Sequence, residues 1–334
     1  MKQSQRDREG VVDALKGVCI LLVCFTHFSW TSTERTTFLF PWWVDMAVPV
    51  FMVLSGYVYE KAVLNKKMYS LTQVYTPDVL LKKIIRFSIP VLIVYAATLA
   101  LDKKTYGQIP YGIFMTFLQG GRGPGSYYYP VMIQTVFVLP VIETIIRKHE
   151  EKGLLLCLVA NIIYEVLHIA YYIPVESYRL LMFRYIFVLA SGCFIARGRP
   201  VKPYIPVSMF CVGVAFLCAH LYGGYQPLFI THWTGTSFVA AMYIIPIAWL
   251  TLRTYKVRFP LLELVGKASY NIYLTQMLYY YTISNSLFQN IGSRKIQLLV
   301  SMLICVCSGI LFYYAETPLT KYVQRRIGAL LSKE

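Results

Sequence analysis

Asp13, Lys16 and His27 stand together near the N-terminus, in the order Asp13-Ala-Leu-Lys16-Gly-Val-Cys-Ile-Leu-Leu-Val-Cys-Phe-Thr-His27. Between the lysine and the histidine only Thr26 is polar. At about 3.6 residues per turn, eleven residues return almost to the starting angle after a climb of roughly 16 Å. A helix here places a charged pair near one end of a face and an imidazole near the other. A neutral imidazole accepts a proton from a hydroxyl near physiological pH. Ionisable groups on a membrane helix are costly and point to function by default. Lys82, Lys83 and Arg86 form a second set, clustered before Pro90. Such cations suit phosphate recognition.

The elements that carry these residues belong in lipid. The chain of 334 residues is 57% hydrophobic and 14% charged, where a soluble protein carries about a quarter charged residues. Apolar stretches near 11–30, 43–60, 84–101, 127–146, 153–173, 180–196, 204–222, 234–252, 268–288 and 296–315 approach or exceed the ~20 residues needed to cross a bilayer. The expected fold is therefore all-α: a polytopic integral membrane bundle of about ten transmembrane helices. The segment 109–118 reads as a short surface or re-entrant piece. No loop has room for a soluble domain, so residues 1–334 are expected to form one membrane domain.

The net charge of +16 suggests nucleic acid until the charges are placed. With both termini cytoplasmic, most Lys and Arg fall inside, among them Lys66, Lys67, Lys82, Lys83, Arg86, Arg147, Lys148, Arg197, Arg199, Arg253, Lys256 and Arg258. That asymmetry is the positive-inside rule and sets the orientation. No basic module interleaved with aromatics argues for nucleic acid. All eight cysteines fall in apolar stretches without paired metal-ligand spacing, and no metal is expected. The apolar run after Lys2, Arg6 and Arg8 is too long for a signal-peptide core, so an uncleaved anchor is expected. Gly120 to Gly125 reads as a flexible outside loop, not as a nucleotide motif.

This orientation puts His27 in the outer third of the first span. Asp45, Glu165, His168 and Arg184 fall at the same outer depth on three other spans. A buried charge needs a partner, so these groups are either pairs holding helices in register or parts of a site. Ser55-Gly56 reads as a small-residue helix contact.

The basic-x10-His pattern from Lys16 to His27 resembles the opening of the membrane acyltransferase-3 family. Other segments are similar to the family's motifs in the same order: Pro49-Val-Phe51-Met-Val-Leu-Ser55-Gly56-Tyr57; Lys82-Lys-Ile-Ile-Arg86 followed by Pro90; Tyr127-Tyr-Tyr-Pro130; Ser269-Tyr270-Asn271-Ile-Tyr273-Leu274; and Glu316-Thr-Pro318. The resemblance covers essentially the whole chain. The chain departs from the pattern twice. Lys16 replaces an Arg found in many members, and Gln276 stands where many carry a second His.

The resemblance implies a membrane-embedded O-acyltransferase. It would move an acyl group, commonly acetyl from cytoplasmic acetyl-CoA, to a hydroxyl of a sugar or another cell-envelope acceptor. The expected place is the cell membrane, as a multi-pass protein of the bacterial cytoplasmic membrane. On this reading His27 is the catalytic residue, as general base or as carrier of a transient acyl group. Lys16 and Asp13 share its face, and Asp45 or Arg184 would orient the ring or stabilise an oxyanion. Lys82, Lys83 and Arg86 would hold the phosphates of acyl-CoA. The competing class is a transporter or flippase of a small polar or lipid-linked substrate. Intramembrane charges fit it, but no internal repeat with paired broken helices is evident.

Overall fold

The computed structural model describes residues 2–102, 110–228, 230, 232–255, 258–289 and 291–331, with side chains except for 2–9 and 110. Lys256, residue 109 and the side chains of Lys2, Arg6 and Arg8 lie outside that description. Among the described residues every regular element is helical.

Five helices are long and apolar enough to cross a membrane: Phe40–Lys66, Pro77–Leu101, Tyr128–Ala170, Tyr204–Leu221 and Arg294–Leu331. A pair bent by 55°, Thr234–Ala241 and Ile244–Thr254, makes a sixth if read as one span. This is fewer than the hydropathy of the sequence suggests, and the differences have local causes. The first helix, Lys2–Thr26, spends its opening turns on polar residues. Tyr128–Ala170 merges two expected spans into 43 residues and carries one non-helical residue, Glu150, at φ 52° and ψ −119°. The helix Ile186–Ala196 has only 11 residues. Ser269–Leu278 gives way to a π-helical turn, Tyr279–Ile283, before a last short helix, Ser284–Phe288.

The chain divides into two compact units. The first comprises Met1–Val12, Thr31–Gln73 and Phe137–Phe259; the second comprises Asp13–Trp30, Val74–Val136 and Pro260–Glu334.

In the first unit the helices Ala47–Lys66 and Ile186–Ala196 lie backbone to backbone. A Cβ on Gly56 would collide with the carbonyl oxygen of Leu189, and one on Gly192 with that of Val53. In lipid, where apolar surface gains little by leaving the solvent, such close approach is what binds helices. The Ser55 hydroxyl donates to the Phe51 carbonyl at 2.8 Å, one turn back on its own helix. Cys193 Sγ reaches the Gly56 carbonyl at 3.4 Å. At one end of this pair Arg197 meets the fully buried Glu60 at 2.6 Å.

In the second unit the first helix packs against Pro260–Lys267 by the same means. Gly17 faces the backbone of Leu262, and Gly266 faces that of Asp13. Ser269–Leu278 rests on Arg294–Leu331, where Gly309 admits Ile272. It is also tied to Pro77–Leu101 by Tyr270, whose hydroxyl donates to the Phe87 carbonyl at 2.9 Å. The buried Glu316 carboxylate receives the Asn271 amide at 3.1 Å and the Thr320 hydroxyl on its other oxygen. Satisfying both oxygens is what makes a carboxylate tolerable in a helix interface. These bonds pair residues that lie far apart in sequence and lock the second unit around its central helix.

Candidate active site

The first helix ends at Thr26, and His27 is the first residue beyond it. The chain turns there because the Phe25 carbonyl takes the Phe28 amide at 3.3 Å and the Trp30 indole at 2.6 Å in place of a further helical turn. The imidazole thus sits on a turn anchored by the helix and is partly buried. His27 Nδ1 lies 3.0 Å from Gln276 Oε1. The amide of Gln276 is oriented from its other side, since its Nε2 donates to the Pro124 carbonyl at 3.3 Å. The oxygen must then face the histidine. Nδ1 accordingly carries the proton and donates it, and Nε2 of the neutral ring is the basic nitrogen.

The Gly-rich loop closes over this nitrogen. Gly125 has φ +85°, and a Cβ there would stand 3.2 Å from His27 Cε1 and 3.7 Å from Nε2. Only glycine accepts that backbone conformation cheaply while leaving the ring edge uncovered. The Tyr273 hydroxyl pins the loop by donating to the Gly125 carbonyl at 2.9 Å. Arg122 pairs with Asp102, which also accepts from the Tyr281 hydroxyl at 2.8 Å. The segment expected to be a flexible outer loop is therefore a strap, bonded at Arg122, Pro124 and Gly125. The Tyr280 ring stands edge-on to the imidazole with centroids 6.5 Å apart, and its hydroxyl donates to the Cys24 carbonyl at 3.0 Å.

Farther down the helix Lys16 Nζ lies 3.4 Å from Asp13 Oδ1. Arg86 is near enough for its charge to act on Lys16. Asp13, Lys16 and Arg86 are thus brought together. Roughly 16 Å of helix rise separates that cluster from His27, so Lys16 acts at the other end of the helix.

Lys82 lies one turn before Arg86 on the same helix and pairs with Asp78 at 2.7 Å. It lines an open cleft of about 660 Å³ together with Asp78, Lys321, Gln324 and Arg325. Gln324 Nε2 holds the wall by donating to the Lys82 carbonyl at 2.6 Å. Lys83 and Arg86 are not among the residues that line it. Lys321 and Arg325 were missed in the sequence because charge counting gives a basic tail only a topological meaning.

Asp45 and Arg184 belong to the first unit. Asp45 takes an ion pair with Arg35 at 2.8 Å. Arg184 is buried beside three aromatic rings, with its guanidinium 4.5 Å from Trp233, 5.0 Å from Tyr185 and 5.1 Å from Tyr178. Among the described residues no three His, Cys, Asp or Glu side chains converge as metal ligands would.

A family model described as an acyltransferase domain, acyltransferase-3, matches residues 10–315 of this chain. Comparison with curated proteins and with solved structures finds no match.

Proposed function

This chain belongs to the acyltransferase-3 family and is a multi-pass membrane acyltransferase, and we propose that His27 is its general base, with Gln276 holding the ring. Nε2 takes the proton of an acceptor hydroxyl as that oxygen attacks the carbonyl of an acyl thioester. The carbon–sulfur bond breaks, and the imidazolium returns the proton to the departing thiolate. The observation that carries this reading is the hydrogen bond from His27 Nδ1 to Gln276, which leaves the basic nitrogen at the edge that Gly125 keeps uncovered.

The donor in this reading is acyl-CoA, with acetyl the expected group, and the acceptor is a hydroxyl of a sugar or another cell-envelope molecule. The phosphates of CoA would bind at the cytoplasmic cleft of Lys82, Lys321 and Arg325, with Lys83 and Arg86 beside it. Lys16 and Asp13 would extend the polar path inward from Arg86. Asp45 and Arg184, each with partners of its own, would hold the charged layer of the first unit.

The topology that fits is ten spans with both termini in the cytoplasm of a bacterial cell. A helix of 43 residues would run about 65 Å, twice the ~30 Å of hydrocarbon. The bend at Glu150 divides it into two crossings.

Purified protein in lipid nanodiscs, given radiolabelled acetyl-CoA and a sugar acceptor, tests the assignment. General-base assistance is worth about 10²–10⁴-fold, so His27→Ala should lose transfer by at least about 10²-fold while binding acyl-CoA normally. Equal turnover in His27→Ala and wild type would remove the base.

A further inference from the structure

The second half of Tyr128–Ala170 carries a polar stripe in the first unit that the proposed chemistry does not use. Asn161, Tyr164, Glu165 and His168 follow one another at spacings of three, one and three, which places them on one helix face. Asn161 is 0%, Glu165 1% and His168 2% exposed. Each of the four holds at least one buried polar atom with no partner in the protein: Asn161 Nδ2, the Tyr164 hydroxyl, Glu165 Oε2 and both nitrogens of His168. The other atoms of the stripe are fixed. Asn161 Oδ1 accepts the Phe187 amide at 3.2 Å, and Glu165 Oε1 accepts the Tyr178 hydroxyl at 2.8 Å. The Tyr164 ring stacks on Tyr178 with centroids 5.8 Å apart, and His168 packs against His232 at 4.8 Å.

An orphaned buried polar atom costs free energy comparable to the bond it lacks. Five such atoms along one helix face are an expensive arrangement for a purely structural stripe. Their chemistry restricts what would satisfy them. Glu165 needs a donor, Asn161 needs an acceptor, and His168 and Tyr164 need both. Charge is already balanced, because Arg184 acts on Glu165 electrostatically. An anion would meet Glu165 and a cation would meet Arg184. The stripe spans seven residues, or about 10 Å, more than one hydroxyl can bridge. A row of hydroxyls on a neutral frame answers every one of these demands.

We propose that this stripe binds a neutral polyhydroxylated ligand, a carbohydrate, and that it serves the membrane acyltransferase as its acceptor-binding site. Only the word acceptor rests on the acyltransferase reading; the binding site does not.

The test is titration calorimetry of the full chain in nanodiscs, without acyl donor, using methyl β-glucoside, N-acetylglucosamine and myo-inositol as probes. At least one should bind saturably, and Glu165→Leu and His168→Leu should each weaken it about tenfold or more. Tyr164→Phe guards against misfolding. Removing an unpartnered hydroxyl should raise the melting temperature of the ligand-free protein while weakening the sugar severalfold. Failure of all three probes to bind wild type, or wild-type affinity in all three variants, overturns the proposal. Sugar binding that the variants abolish, in a protein that transfers no label, would keep the site and sink the acyltransferase reading. Transfer with an unchanged acceptor KM in the variants would do the reverse.

Discussion

Replacing Gln276 by Leu removes one acceptor and one donor and leaves the side-chain volume almost unchanged. In the native protein the amide bridges His27 Nδ1 and the Pro124 carbonyl, at 3.0 and 3.3 Å. Without Oε1 the imidazole no longer has a reason to keep its proton on Nδ1, and the form with a basic Nε2 becomes a fraction of the population. A neutral hydrogen bond is worth about 0.5–1.5 kcal/mol. At about 1.36 kcal/mol per decade, its loss should lower kcat/KM roughly 2- to 13-fold through the tautomer alone. Release of the strap at Pro124 adds at most a similar factor. The loss therefore stays below that of His27→Ala, for which at least about 10²-fold is expected.

The stronger form of this prediction is a double-mutant cycle read by the label-transfer assay. If Gln276 acts only by setting the ring, Gln276→Leu should cost almost nothing in a His27→Ala background, because there is no ring to set. Affinity for acyl-CoA should be unchanged in all three variants. Full activity in Gln276→Leu would refute the argument outright. So would a cost that simply adds to that of His27→Ala, since Gln276 would then act on something other than the imidazole.

Gly125→Ala should lower turnover and destabilise the fold by about 1–2 kcal/mol, since its Cβ meets a positive φ and the His27 ring; wild-type turnover and melting temperature would exclude the strap as a part of the site. Lys321→Gln and Arg325→Gln should raise the KM for acetyl-CoA and flatten its salt dependence, and unchanged donor kinetics in folded variants would return the cleft to surface charge. For the ten-span topology, a cysteine at Gly123 in a background cleared of native cysteines should react with an impermeant reagent from outside, and one at Lys66 only after permeabilisation. The opposite pattern would invert the orientation.

The sequence makes His27 visible because the signal is local: a basic residue, ten residues of mostly apolar chain and a histidine need no knowledge of what packs nearby. It makes the apolar helices visible for the same reason. Where the helix stops is less legible. The apolar run continues past Thr26, but the Phe25 carbonyl is taken by Phe28 and Trp30, and hydropathy has no means of registering that competition. The strap is hidden for a different reason. Gly120 to Gly125 has the composition of a loose loop, and its order comes from Tyr273, Gln276 and Asp102, two of them about 150 residues distant. The cleft is assembled likewise from the start of one helix and the end of another.

The departure at Gln276 acquires a physical meaning once its two bonds are known. A histidine at that position could also bond to His27, but it would bring a second ring able to change charge near neutral pH, and the two titrations would couple. A glutamine amide does not titrate. With its oxygen on His27 and its nitrogen on Pro124, it holds the same tautomer at every pH in which the fold survives. The acidic limb of the rate profile should then follow a single ionisation. Two ionisations on that limb of kcat/KM would mean that another group shares the proton, and the assignment of His27 as sole base would fail.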